Sequence, residues 1–291
     1  MNQPELFYKD RATIAETPLW SEKENALYWV DIRAPAIKRY NPRTKEFNKW
    51  TAPGDIGAIN WAKGGRLICA VRQGWFLFDP KTGQFDLVAN PEPGKPHLRM
   101  NDSKVDRAGR LWSGSMKDPD FAPQGSLFRL DPDRSFKCFI QGGITIPNTL
   151  CFSPDDKTMY FADSPTRRIM AYAFDKARGE IANPRLFAEL PPNQGVPDGA
   201  TVDSEGFVWS AHMMGGRLTR YDPTGKIERV VQCPTARIAS CALGGPGWKT
   251  LYIATGTNNM TAEQLASDPL AGSILAIEAP AAGLPEPEYG G

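Results

Sequence analysis

The chain has 291 residues and a net charge of +1, with Lys and Arg scattered rather than clustered. That balance leaves no electrostatic footprint for nucleic acid or an anionic membrane surface, and no apolar run is long enough to span a bilayer. Five cysteines (Cys69, Cys138, Cys151, Cys233, Cys241) are odd in number, lack Cys-x-x-Cys spacing and sit mostly in apolar strand patterns. They read as reduced, buried packing residues and exclude a disulfide framework or a Cys/His zinc site. The N-terminal residues lack the apolar core of a signal peptide, so a cytoplasmic protein is expected.

In chain order, residues 5–14 read as a strand preceding the first complete unit. That unit runs from Glu16 to about Pro53, with strands near 17–20, 27–31, 37–40 and 46–50. Similar units cover roughly 56–90, 101–142, 148–190 and 196–231, and a last one runs from 238 to about 278. The fifth is the clearest: 200–203, 207–211, 217–221 and 227–231 are short apolar, β-branched or aromatic runs separated by turn residues such as Asp222-Pro223-Thr224-Gly225. Second-strand anchor pairs recur at Leu27-Tyr28, Leu67-Ile68, Leu111-Trp112, Met159-Tyr160, Val208-Trp209 and Leu251-Tyr252, spaced 40, 44, 48, 49 and 43 residues apart. A four-stranded unit of this period, repeated six times, predicts an all-β, six-bladed β-propeller occupying 1–291 as one domain. A β-helix repeat would be shorter, and a helical solenoid would carry a 3.6-residue period.

The last unit has only three clear strands. Residues 5–14 are therefore expected to supply its fourth, closing the ring and covering an edge that would otherwise be exposed. Pro-rich loops precede the third and fifth units. The longest insertion, 256–272, contains a helical stretch at 261–267, and the Pro/Gly/Ala-rich residues 279–291 are expected to cover the outside or fray.

Counting back ten or eleven residues from the anchors reaches Glu16, Asn101, Asn148 and Asp198, each at the start of an innermost strand. Alone, Pro197-Asp198-Gly199, Pro147-Asn148 and Asn101-Asp102 are turn formers, and Glu16 before Thr17-Pro18 is a loop carboxylate. Their shared phase brings them to one mouth of the axial channel. Carboxylate and amide oxygens gathered there suit a hard divalent ion. Asp31, Asp163 and His212, each four residues after an anchor, return to the same mouth as supporting groups. His97 and His212 are not spaced for mutual catalysis.

These motifs resemble the regucalcin-like family (senescence marker protein, gluconolactonase, luciferin-regenerating enzyme), and most of all its bacterial sugar-lactonase branch. The resemblance rests on Glu16-Thr17-Pro18-Leu19-Trp20, Arg99-Met100-Asn101-Asp102, Pro147-Asn148, Pro197-Asp198-Gly199, Gly244-Gly245-Pro246 and Asp268-Pro269-Leu270-Ala271-Gly272. It implies one divalent metal (Ca, Mn, Mg, Zn or Fe) held by Glu16, Asn148 and Asp198. Arg99 and Asn101 would contact substrate, with Asp198 as candidate general base. The implied substrate is a small sugar lactone, and the implied state a monomer or weak homo-oligomer. A calcium-binding regulatory protein without catalysis, or a hydrolase of another ester, would use the same mouth. Departures from the family pattern are Ala15, Thr149 (expected to narrow the pocket), and no clear counterpart to the glutamate some relatives carry after Gly114-Ser115-Met116, where Asp118 and Asp120 lie nearby.

Overall fold

The computed structural model describes residues 3–291. A first strand, β1 (Glu5–Tyr8), precedes blade 1, which comprises β2 (Ala15–Ser21), β3 (Ala26–Asp31), β4 (Ala36–Tyr40) and β5 (Phe47–Thr51). Blade 2 contains β6 (Ile56–Ala62), β7 (Arg66–Val71), β8 (Gly74–Asp79) and β9 (Gln84–Ala89). Blade 3 contains β10 (Leu98–Val105), β11 (Leu111–Lys117), β12 (Gly125–Leu130) and β13 (Phe136–Ile144). In blade 4 are β14 (Pro147–Phe152), β15 (Thr158–Asp163), β16 (Arg168–Asp175) and β17 (Glu180–Glu189). Blade 5 is built from β18 (Val196–Val202), β19 (Val208–Met213), β20 (Arg217–Tyr221) and β21 (Ile227–Gln232). Blade 6 has β22 (Ile238–Gly244), β23 (Thr250–Thr255) and β24 (Ile274–Glu278), with α1 (Ala262–Ser267) inserted after β23. Each blade is an antiparallel meander, and together they form a six-bladed β-propeller.

The ring closes as the edge-strand argument requires. The last sheet runs β1-β24-β23-β22, with Glu5 opposite Ala276 and Leu6 opposite Leu275. The closing strand is shorter than the expected 5–14. Residues after Tyr8 turn back into blade 1, held by the Ala12 N–H on the Gly272 carbonyl at 3.1 Å and a bridge from Ile14 to Gly256. Within the insertion, Thr261 and Gln264 form a reciprocal capping box that starts α1.

The core lies between blades. Blade 1 presents Tyr28 and Ile37 to Ile59 and Leu67 of blade 2, and blade 6 presents Tyr252 and Ile274 to Trp20 and Trp29 of blade 1. Three fully buried tryptophans, Trp29, Trp112 and Trp209, donate their indole N–H to Asp10, Asp106 and Asp203. Each of these aspartates also pairs with a cation: Lys38, Arg110 or Arg220. Charge can be buried there because both partners and the indole satisfy it.

Two expectations need correction. The segment 279–291 neither frays nor wraps the outside. It crosses the far ends of the innermost strands, with Ser204 N–H on Ala282, Gly283 N–H on Trp248, Lys104 paired with Glu286 at 2.7 Å, and Tyr289 bridged to Ala62. Tyr289 is fully buried and its hydroxyl donates to the Asp131 carbonyl at 2.9 Å. Among the cysteines, all five are free thiols but Cys138 is exposed, because β13 is an outer strand. Among the described residues, no helix is long and apolar enough to cross a membrane.

Removing residues 1–8 strips β24 of one of its two partners and uncovers Tyr40 and Tyr252, on which Phe7 packs. The melting temperature should fall by roughly 10 °C or more. A thermal melt superimposable on that of the full chain would show that the pairing contributes nothing.

Candidate metal and substrate site

Every innermost strand is irregular beside its start. Register shifts occur between Glu16 and Leu19, Ile56 and Ala58, Met100 and Ser103, Asn148 and Cys151, Pro197 and Ala200, and Ile238 and Ser240. A bulge bends the strand and re-aims a side chain that the pleat would otherwise send between blades. The result is a cavity of about 140 Å³ at one mouth of the channel, lined by Glu16, Asn101, Asn148 and Asp198 together with Arg33, Arg99, Ser164 and Asn258. All five residues expected from the sequence, Arg99 included, therefore meet in one place.

Two of the bulges carry β-branched residues in the left-handed region, Thr17 at φ 46° and Thr149 at φ 62°. Such residues persist there only when their surroundings hold them. Thr149 Oγ1 donates to the Asp198 carbonyl at 2.7 Å and Thr17 Oγ1 to the Gly57 carbonyl at 3.4 Å. Thr149 is fully buried and does not line the cavity, so it fastens blade 4 to blade 5 instead of narrowing the pocket.

The amide of Asn148 has a fixed orientation. Its Nδ2 donates to Ser164 Oγ at 2.8 Å, and Ser164 Oγ in turn donates to the Pro197 carbonyl at 2.6 Å. Asn148 Oδ1 faces Asn101, whose Nδ2 donates to it at 3.0 Å and to the Pro147 carbonyl at 2.9 Å. Arg99 is held by Asp118 (Nε to Oδ2, 2.5 Å) and donates from Nη1 to Asn101 Oδ1 at 2.7 Å. Asp118 thus occupies the neighbourhood of the missing glutamate as a buried partner of Arg99 and Arg33. Asp120 is exposed and pairs with Lys117.

The supporting groups act on backbone. Asp31 accepts from the N–H groups of Thr13 and Ile14, and Asp163 from those of Thr145 and Ile146. Both clamps seize the residues just before Glu16 and Asn148. In blade 5 the corresponding place is His212, whose Nδ1 lies 3.1 Å from the Gln194 carbonyl. Burial holds its imidazole down at about 4, which makes it a neutral clamp.

Three carboxylates share the channel. Glu16 is pushed up to about 8, by burial first and by the Asp102 carboxylate second. Asp198 is raised well above the usual range by burial, then by Glu16 and Asp102. Asp102, whose Oδ2 accepts from Leu150 N–H at 2.9 Å, is raised to about 6 by burial. Among the described residues no group of three or more His, Cys, Asp or Glu is disposed to hold a metal. An ion here would rest on two carboxylates and one amide oxygen. That set fits a hard dication: Glu16 and Asp198 repel one another when both are ionised, and a cation beside them removes the penalty. Asn148 lines the same cavity, with a second lone pair on the Oδ1 that accepts from Asn101.

Sequence reasoning missed Arg33, Ser164 and Asn258. Asn258 Oδ1 is a buried acceptor with no donor among the described residues, and it borders the cavity from the blade 6 insertion.

Residues 14–257 match the SMP-30/Gluconolactonase/LRE-like region, and the chain belongs to this family. It is 34% identical over 281 residues to the 6-deoxy-6-sulfogluconolactonase of Pseudomonas putida, covering 96% of each chain. It is also 34% identical over 272 residues to regucalcin of Xenopus laevis, covering 91% of this chain and 90% of the relative. A crystal structure of a calcium-binding protein, regucalcin, from Agrobacterium tumefaciens agrees with a TM-score of 0.94 at 24% identity, covering 98% of this chain and 97% of that one, a likeness of fold.

The raised carboxyl sets a pH dependence for the metal-free protein. The folded chain keeps the Glu16 proton up to about 8, whereas the unfolded chain releases it near the ordinary glutamate value of 4.5. Stability is therefore lost as pH rises between these values. In chelator, wild type should lose more stability than Glu16→Gln between pH 5 and 8, by at least about 1 kcal/mol. Parallel denaturation profiles for the two proteins would contradict the assignment.

Proposed function

We propose that this protein hydrolyses a sugar lactone to the sugar acid, with one divalent ion held by Glu16, Asn148 and Asp198. The observation that carries the reading is the meeting, in one cavity, of two carboxylates raised by burial and an oriented amide oxygen with the linked Arg99–Asn101 pair. Membership of a family whose relatives include a named sugar lactonase supports it. The chemistry such an ion supplies when bound is Lewis acidity toward the lactone carbonyl and toward water.

The protein's own groups account for the remaining work. Arg99 donates from Nη2 to a hydroxyl or ring oxygen of the sugar. Asn101 Oδ1, which has a second lone pair beside its bond from Arg99, accepts from a sugar hydroxyl, so the two fix its orientation. Asn258 Oδ1 accepts from a sugar hydroxyl, which gives a buried oxygen its missing partner. Ile14, Ile32, Ile146 and Met213 cover the carbon face of the ring and keep bulk water from it. Asp198 takes the proton from the attacking water as its oxygen bonds to the carbonyl carbon. The same carboxyl returns that proton to the ring oxygen as the acyl C–O bond breaks, so the product is the open hydroxy acid.

The test is pH-stat titration of acid release from δ- and γ-lactones, with and without chelator. Turnover should be lost in chelator and restored by a divalent ion. Asp198→Ala and Asn148→Ala should each abolish turnover and weaken metal binding by calorimetry about tenfold or more, with the fold retained. Metal binding at wild-type affinity in both variants would sink the ligand set. Binding without any turnover would favour a non-catalytic calcium-binding role.

Arg99→Ala separates binding from chemistry. Losing charged hydrogen bonds to the sugar should lower kcat/KM by roughly ten- to a hundredfold, while metal affinity is kept or slightly improved. Lactone kinetics equal to wild type would remove Arg99 from the site.

A further inference from the structure

One wall of the cavity carries more positive charge than its neighbours neutralise. Arg33, Arg72 and Arg99 share only two carboxylates. Asp118 accepts from Arg33 at 2.6 Å and Arg99 at 2.5 Å and lies 3.6 Å from Arg72, while Asp55 accepts from Arg33 at 2.9 Å and Arg72 at 2.6 Å. Three guanidinium groups against two carboxylates leave one positive charge over. Arg33 Nε and Arg99 Nη2 have no acceptor among the described residues.

The four charged side chains that line the cavity are Glu16, Asp198, Arg33 and Arg99. Arg99 is deep, whereas the Arg33 side chain is 31% exposed. Arg72 does not line the cavity. The rest of the surround is largely apolar, including Ile14, Ile32, Phe121 and Met213. Arg33 gives Nη1 to Asp55 and Nη2 to Asp118, so its open Nε edge, on a wall with one positive charge over, is the recognition element that suits the oxygens of a carboxylate, sulfonate or phosphate. A neutral hydroxymethyl group at the same place would leave that charge unanswered.

Resting on the lactonase reading for the identity of the ring, we propose that Arg33 is a specificity residue. It receives an anionic substituent carried by the sugar, so that the preferred ligand is an acidic sugar lactone and not a neutral one. The two carboxylates engage the reacting end, and Arg33 engages the substituent at the other.

The experiment compares glucono-1,5-lactone with its 6-phosphate and 6-sulfonate counterparts in pH-stat assays of metal-loaded wild type, Arg33→Met, Arg33→Lys and Arg72→Met. Wild type should favour at least one anionic lactone in kcat/KM by about tenfold or more. Arg33→Met should lower that value by about ten- to a hundredfold, chiefly through KM, and change the neutral lactone by less than about threefold. Arg33→Lys should fall between the two. Arg72→Met, which removes the surplus charge but no donor that lines the cavity, should lower the preference by clearly less than Arg33→Met does.

Calorimetry with glucose, glucose 6-phosphate and 6-deoxy-6-sulfoglucose, which cannot be hydrolysed as lactones, reads the same preference without turnover. Tighter binding of a charged sugar that Arg33→Met abolishes upholds the inference even if no lactone is turned over, and only the lactonase reading then fails. Equal binding and equal kcat/KM of charged and neutral ligands in wild type overturns it. An equal loss for both classes in Arg33→Met overturns it as well, because that is the signature of a structural ion pair. Loss of the preference in Arg72→Met to the same extent would assign it to the summed charge of the network and remove Arg33.

Discussion

The site depends on a belt of contacts that joins the bulges of successive innermost strands around the channel. Thr17 reaches the Gly57 carbonyl, Asn101 reaches blade 4 through Pro147 and Asn148, Asp102 reaches Leu150, and Thr149 reaches Asp198. At two links the backbones approach too closely for a side chain. A Cβ on Gly57 would lie 2.6 Å from the Asn101 carbonyl oxygen, and one on Gly199 would lie 2.2 Å from Ser240 Oγ. The Ser240 hydroxyl lies beside Glu16, favours its charged form and brings the circle back to blade 1. A displacement in one blade is therefore felt by the functional side chains of its neighbours, and the strain at Thr17 and Thr149 is the local cost of continuity.

This arrangement explains why burial raises the carboxyl groups as it does. Glu16 and Asp198 line the cavity, and Asp102 stands beside them with its Oδ2 on the Leu150 N–H. Arg99 is the cation beside Glu16 and Asp198, and its charge is already shared with Asp118. Positive charge is concentrated on the wall toward blades 2 and 3, and negative charge on the axis. The cavity is consequently polarised across a few ångströms of mostly apolar lining. An asymmetric ligand would have one strongly preferred orientation in such a field.

Much of this was legible in the sequence because a propeller repeats its geometry. The anchors Leu27-Tyr28 to Leu251-Tyr252 each fall in a second strand, and counting back from four of them reaches the residues that line the cavity. Asp31, Asp163 and His212 were placed by the same phase, although their action on loop backbone depends on hydrogen-bond geometry that spacing does not encode. Arg33, Ser164 and Asn258 escaped because they sit in connections, where the repeat carries no phase information. Thr149 was misread because its conformation at positive φ, which turns its hydroxyl to blade 5, follows from the bulge and not from residue type. The final thirteen residues were misread because Pro, Gly and Ala report flexibility by composition, whereas the burial of Tyr289 is set by the surface it meets.

That last segment has a kinetic consequence. By crossing the far ends of the innermost strands, residues 279–291 lie across the end of the channel opposite the cavity and oppose passage through it. Whatever occupies the cavity enters and leaves by the same door, past Phe121 and Met213. A product therefore has to vacate before the next molecule can descend, and the two cannot pass one another in transit.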